Sequence, residues 1–411
     1  MGKLAVLIVT SFVDMLGLLM VLPLLPFYAE RLEGTGLFGE LISHIGSTGL
    51  VVGLLVSSFA VAQLLSAPFW GRVSDRYGRR PALLIGLGAS FLAYIIFAYA
   101  DTLSMLFLSR LVQGAGGGTV GVIQAYVADA TEPENRAKSL GWLSAATNAG
   151  VAIGPVIGSW SRTISAEAPG LIAASIVSVN MVFVWFFLRE SYDVAAARAD
   201  GHKNIRSRDA VWNVITHSRE PAPRLIWIYA IAMGAFQGMT SILALFLAVR
   251  FGVTAATIGY FFMYIGAIGF LMRAAILGWA VDWLGEVRLS RIGSVLLAAG
   301  LALLPLTQGY LGLAIAVALV PIGTAFTFPC ITSLLSRVIG KHERGLYMGV
   351  QQSFGGAARV IGPLWAGWAY DHLGIGVPFW TGAIMVFATI FIGIGMESYT
   401  RSDHERRTAA V

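Results

Sequence analysis

Gly71-Arg72-Val73-Ser74-Asp75-Arg76-Tyr77-Gly78-Arg79-Arg80-Pro81 separates two apolar runs, each long enough to cross a bilayer. A stretch this dense in charge between two such runs belongs at a membrane surface. Gly71 and Gly78 allow the chain to reverse within about ten residues, and Pro81 suits the first turn of the helix that follows. The arginines of the stretch place it on the cytoplasmic side, because basic loops stay inside. A charged surface turn that only sets topology is the alternative reading of the same residues.

Outward from this turn, the composition excludes most other classes. The chain has 411 residues, 57% hydrophobic and 12% charged, whereas soluble domains are about half apolar and about a quarter charged. The apolar runs recur too often for one signal peptide. The first, Leu4 to Phe27, ends without a small-residue cleavage site and reads as a retained helix. A single cysteine, Cys330, excludes a disulfide framework. The net charge of +6 does not point to nucleic acid, since the basic residues collect in alternate loops. There is no Walker-type phosphate loop, no metal-ligand cluster and no nucleophile–base spacing, so neither a cofactor nor an enzyme is expected.

Twelve spans are predicted, at 4–30, 47–70, 82–100, 103–128, 139–161, 168–188, 224–249, 256–281, 290–307, 310–337, 346–370 and 376–397. They are called spans 1 to 12 below. The Lys and Arg residues lie at the termini and in or beside the loops after spans 2, 4, 6, 8 and 10. The exceptions are Arg31, Arg162 and Arg250 on the opposite side and Arg110, Arg273 and Arg359 within spans. Both termini are therefore expected in the cytoplasm. The fold class is an all-α membrane protein of two six-helix bundles, at 1–190 and 223–397. A cytoplasmic linker occupies 191–222 and a cytoplasmic tail 398–411. Within the linker, Ala210 to Thr216 reads either as a short amphipathic helix or as part of a flexible tether.

An internal repeat supports two halves. Gly71, Asp75, Gly78 and Gly86 recur as Gly278, Asp282, Gly285 and Gly293, all displaced by 207 residues. Arg136, Gly141, Gly154, Pro155 and Trp160 recur as Arg344, Gly349, Gly362, Pro363 and Trp368, displaced by 208. Parallel repeats related by an axis along the membrane normal would give this pattern. The second copy of the turn has Glu286 and Val287 where the first has Arg79 and Arg80.

The turn's pattern, Gly-x-x-x-Asp-Arg-x-Gly-Arg-Arg-Pro, resembles the signature loop between helices 2 and 3 of the major facilitator superfamily. The resemblance implies a conformational switch built from Gly71, Asp75, Arg76, Gly78, Arg79 and Arg80. In that family Asp75 would face the start of helix 11, and Asp75, Arg79 and Asp129 would form a charge cluster that rearranges between transport states. In span 5, Gly150, Gly154 and Gly158 recur every four residues and line one helix face, with Pro155 adding a kink. This stretch resembles the helix 5 motif of the drug/proton antiporters, where it packs against helix 8. The corresponding stripe of span 11, Ala358, Gly362 and Ala366, is expected against span 2.

Span 4 carries Arg110-Leu111-Val112-Gln113-Gly114, which looks like the family's Arg-x-x-Gln-Gly motif. An arginine in hydrocarbon costs about 2.5–3.5 kcal/mol on insertion scales, so it needs a partner or a wet cavity. Asp14 of span 1 is the only acidic residue deep within a span. It is the expected partner, either as a permanent structural pair or as a proton-coupling group with Arg110 and Gln113. The N-terminal half as a whole resembles the bacterial tetracycline/proton antiporters. The second half departs from them: Gly269 and Leu297 stand where those antiporters carry a functional histidine and aspartate. A different substrate and a different proton pathway are therefore expected.

The remaining candidates line the spans. Gln124, Asn148, Gln237, Phe236, Met263, Arg273, Gln352 and Arg359 are candidate substrate contacts. The expectation is a monomeric transporter in a bacterial inner membrane, working by alternating access and exporting a small amphipathic molecule or drug in exchange for protons. The alternative is a carrier of an organic anion or zwitterion centred on Arg110, Arg273 and Arg359. A membrane sensor that transports nothing is a third reading, disfavoured by the lack of a soluble domain.

Overall fold

The computed structural model describes residues 3–36, 39–40, 48–117, 119–131, 133–188, 190, 207–340 and 343–396. Residues 191–206 of the expected linker and the tail from 397 lie outside this set. Every regular element among the described residues is a helix, as expected of an all-α protein. Each expected span coincides with helix, but nine helices among the described residues, not twelve, are long and apolar enough to cross a membrane. Leu103–Ala115 and Val377–Ile392 are apolar but shorter.

The departures from straight helix follow from the sequence. Span 1 runs Lys3–Val21, tightens to a 3₁₀ turn at Leu22–Leu24 and resumes at Leu25–Arg31, because Pro23 and Pro26 remove backbone donors. Span 4 is two rods, Leu103–Ala115 and Thr119–Ala130, broken at a run of glycines. Span 8 contains a π-helical turn, Met272–Ile276, between Ile258–Leu271 and Leu277–Leu284. The charged stretch 71–81 is not a loop of ten residues. Helix Thr48–Tyr77 runs through Gly71 and Asp75, and helix Arg79–Ala98 begins one residue after it ends. The reversal is made at Gly78 alone, at φ 104°, a conformation that only glycine adopts freely. Gly285 repeats it at φ 76°.

Two compact units result. The first gathers the described residues of 1–202, 240–270 and 366–372, the second those of 203–239, 271–365 and 373–411. Leu7, Met20, Leu24, Leu55, Leu83, Tyr94 and Phe97 are buried in the first unit. Val214, Leu225, Ile226, Ile331, Leu334 and Leu335 form a core in the second. The outer surfaces are apolar, with Leu65, Phe186 and Leu311 more than 70% exposed. That is the expected surface where lipid is the solvent. The short linker helix is real, at Ser207–Thr216. It buries Ala210 and Val214 in the second unit's core and turns Trp212 and Ile215 outward, and Asn213 Nδ2 donates to Tyr347 Oη at 3.0 Å.

The glycine stripes face partners other than those expected. A Cβ on Gly150 would lie 2.5 Å from the Phe12 carbonyl oxygen, and one on Gly154 2.6 Å from that of Leu16. Gly158 meets the Met20 carbonyl in the same way. The stripe therefore packs against span 1, not span 8. Span 8 is met by the other side of span 5: Gly259 abuts the Pro155 carbonyl and its amide donates to Ser159 Oγ at 2.9 Å, while Gly266 abuts Ala152. Span 11 behaves in parallel. Gly362 abuts Gly234 of span 7 rather than span 2, and it is Gly367 that meets Gly49 of span 2. There the Asp371 carboxylate accepts from the amides of Gly49 and Leu50 at 3.0 and 2.7 Å.

Candidate functional site

Three polar clusters collect most of the candidate residues, each inside one unit. The first joins spans 1, 3 and 4. Asp14 does not pair with Arg110. Instead Asp14 Oδ2 accepts a hydrogen bond of 3.0 Å from Thr119 Oγ1, at the start of the second rod of span 4. Arg110 is only 1% exposed. Its Nε donates to Ser109 Oγ at 3.3 Å and its guanidinium lies 5.6 Å from the Phe97 ring centre. Both of its terminal nitrogens lack a hydrogen-bond partner among the described residues. The stacking on Phe97 returns about 0.5–2 kcal/mol of the cost of burial. Gln113 Nε2 donates to Tyr94 Oη at 2.8 Å. That hydroxyl sits where a side chain on Gly17 would be, 2.7 Å from its Cβ position. Since Gly17 follows Asp14 by three residues on one helix face, Tyr94 stands beside the carboxylate. Tyr94 and Thr119 were not legible as site residues, because one tyrosine and one threonine in apolar spans carry no spacing signal.

The second cluster is the charged turn at Gly78 in the first unit. Arg79, buried, donates from Nη1 to Asp75 Oδ1 at 2.6 Å and to Ser74 Oγ at 2.8 Å. Asp75 is itself 58% exposed, so this pair contributes no more than about 1 kcal/mol. Arg76 lies over the Tyr77 ring. Arg80 donates to the Trp185 carbonyl at 2.5 Å and stacks on its ring. Gly71 has open space around it. Asp129 lies on the helix, but its side chain is outside the described residues. A residue that sequence reasoning missed completes the cluster: the Glu190 carboxylate accepts from the amides of Arg79 and Arg80, both at 3.0 Å. It caps the helix start with an anion where the dipole is positive. Glu190→Ala is expected to lower stability by about 1 kcal/mol, read as a lower melting temperature in detergent with the helix content unchanged.

The third cluster lies in the second unit. The Tyr229 side chain lies within reach of those of Arg359 and Gln352, and its ring packs on Gly355. Phe328 stands edge-on to Tyr229 at 5.3 Å and to Phe236 at 6.4 Å. The structure thus brings Phe236, Gln352 and Arg359 together around a tyrosine that the sequence did not single out. Arg273 falls on the π-helical turn of span 8, and Met263 and Gln124 are exposed. Gln237 is half-buried on span 7. Asn148 bonds its own helix, at the Ser144 carbonyl. At the corresponding turn of the second unit, Glu286 Oε1 accepts from Arg337 Nη2 and Ser333 Oγ, each at 2.7 Å.

Two arginines that break the charge rule also find places. Arg31 and Arg162 both approach the Tyr28 ring, at 5.2 and 5.7 Å. Nearby, Glu167 is held below the ordinary carboxylate range by its own backbone amide first, then by the Ser165 hydroxyl and the two arginines.

Comparison with known proteins agrees with this architecture. The family model described as Major Facilitator Superfamily matches residues 7–363 and 276–410. A tetracycline resistance protein, class B, of Escherichia coli is 28% identical over 93% of this chain and 92% of its own. Multidrug resistance protein 1 of Bacillus subtilis (strain 168) is 26% identical over 96% and 94%. Among solved structures, the human organic anion transporter MFSD10 superposes with a TM-score of 0.72 at 24% identity, covering 95% of this chain and 98% of that one; it shares the fold. With its apolar helices, the chain is a multi-pass membrane protein of a transporter fold, not an enzyme. It belongs to the Major Facilitator Superfamily.

Proposed function

We propose that this chain exports small amphipathic molecules across a bacterial inner membrane in exchange for protons, by alternating access of two halves, 1–190 and 223–397. Relatives named for tetracycline and multidrug resistance support the direction and the cargo class. Asp14 is the proton site, Arg110 and Gln113 are its electrostatic neighbours, and both termini lie in the cytoplasm. The protein works as a monomer in the bilayer.

The observation that carries this reading is the hydrogen-bonding of Asp14. It is held by one hydroxyl and by no ion pair with Arg110. A carboxylate locked to an arginine gives up its proton too readily to carry one, whereas one held by a threonine exchanges it without breaking a buried pair. Arg110 is engaged elsewhere, on Ser109 and the Phe97 ring, and so leaves the carboxylate uncompensated by a bonded cation.

The test is purified protein in liposomes with an imposed pH gradient, screened against cationic, neutral and anionic amphiphiles. Movement of a cationic or neutral amphiphile that collapses with the gradient supports the reading; movement indifferent to the gradient overturns it. A second reading, a carrier of organic anions, is favoured by the Tyr229–Arg359–Gln352 cluster. Arg359→Gln separates the two, since loss confined to anionic cargo would select the second.

A further inference from the structure

Span 7 begins in a corner that two other elements close. Its helix starts at Pro221, shortly after the linker helix Ser207–Thr216 ends. Trp227 Nε1 ties the two together by donating to the Val214 carbonyl at 3.1 Å. The end of span 12 closes the other side: Arg224 Nε donates to the Ile392 carbonyl at 2.9 Å, and its Nη2 to the Ile394 carbonyl at 2.7 Å. Arg291, at the start of span 9, donates to the Gly393 carbonyl at 3.0 Å. All of these segments belong to the second unit.

Between the linker helix, span 7 and span 12 lies a cavity of about 720 Å³. Its wall on span 7 is a single helix stripe, because Arg224, Trp227 and Ile231 are spaced by three and four residues. Ser218 and Arg219 border the polar end, and Ile215 and Ile392 form apolar sides. Glu220, beside Arg219 on the chain, is exposed and does not line it. Polarity therefore falls along the stripe. Two guanidinium groups stand where the helix starts, an indole follows, and Ile231 lies about 10 Å along the axis from Arg224 at 1.5 Å of rise per residue. The rim is apolar and outward-facing, with Trp212, Phe391 and Ile394 exposed. Tryptophan at such a rim suits the boundary between headgroups and acyl chains.

We infer that this cavity holds a glycerophospholipid with an anionic headgroup, its phosphate against Arg219 and Arg224 and one acyl chain along Trp227 and Ile231, and that the lipid fastens the linker helix to spans 7 and 12. A soluble anion would use the arginines and leave the apolar stripe empty. A neutral lipid would fill the stripe and leave the arginines unanswered. Basic pockets between membrane helices take anionic headgroups for this reason, and pockets of roughly 300–1,000 Å³ suit a ligand part the size of a headgroup with the start of one chain. The inference is independent of what the protein transports.

The experiment titrates the full-length protein, in a neutral detergent, with dioleoyl phosphatidylglycerol, with phosphatidylcholine of the same chains, and with glycerol 3-phosphate. The readouts are melting temperature, lipid retained in native mass spectrometry, and hydrogen exchange of the amides of 207–216. Phosphatidylglycerol alone is expected to raise the melting temperature saturably, because a ligand of the folded state stabilises it by mass action, and to slow exchange in the linker helix. Arg219→Glu should weaken its half-saturation about tenfold, whereas Arg288→Glu, the same reversal at an exposed site that does not line the cavity, should change it by less than about twofold. Ile231→Trp, which fills the apolar end without altering charge, should also weaken it. Equal protection by phosphatidylcholine would overturn the inference, as would protection by glycerol 3-phosphate at the same concentration, which would mark a site for soluble anions. So would equal weakening by Arg219→Glu and Arg288→Glu, wild-type binding in Ile231→Trp, or linker exchange that phosphatidylglycerol leaves unmoved.

Discussion

Asp14→Asn protein, reconstituted and given a pH gradient, is expected to move no substrate against its concentration. The substitution keeps the acceptor that Thr119 needs, at 3.0 Å in the wild type, so the local packing survives. What is lost is the ability to bind and release a proton. Exchange of labelled for unlabelled substrate across the membrane, which needs no net proton movement, should persist. The two assays together separate a coupling defect from a folding defect. Full gradient-driven accumulation in Asp14→Asn would remove Asp14 from the proton pathway.

How much of this site was legible beforehand depends on what decides each contact. The hydrophobic runs and the alternation of basic loops are long-range averages, and they located the helices to within a few residues. Gly78 was legible as one of two glycines in a turn of about ten residues, but not as the single residue that makes the reversal, because the helix before it continues through the charged stretch. The pairing of Asp14 was not. Opposite charges on neighbouring spans pointed to Arg110, but helix rotation decides which side chains meet, and the glycine break in span 4 brings Thr119 to the carboxylate while Arg110 turns to Phe97. The glycine stripe failed similarly: a period of four identifies a face without naming the helix that covers it. Tyr229 was invisible because its role comes from three separated stretches of chain, at 229, 328 and 352–359.

Gly158→Val is expected to have the largest effect on stability. The atoms it would meet are the carbonyl carbon, oxygen and Cα of Met20, and backbone cannot rotate aside as a side chain can. Gly150 and Gly154 meet Phe12 and Leu16 similarly, so span 1 and span 5 touch main chain to main chain at every turn. Forcing a branched side chain between them should cost about 3 kcal/mol or more. The expected result is a large drop in the yield of folded protein and in its melting temperature in detergent. Gly141→Ala on the same helix, where a Cβ meets nothing within 4 Å, should be neutral or gain up to about 1 kcal/mol. Equal behaviour of the two variants would contradict the close approach.

The break in span 4 makes the inner rod, Thr119–Ala130, a lever separate from the segment that holds Arg110. One end of the lever is the hydroxyl that grips Asp14, and Asp129 lies in its last turn. Tilting a rod about 17 Å long by a few degrees displaces one end by roughly an ångström relative to the other, enough to lengthen a 3.0 Å hydrogen bond past its useful range. A tilt of the inner rod would therefore reach the carboxylate of Asp14 through Thr119, while the segment Leu103–Ala115 that holds Arg110 could keep its place.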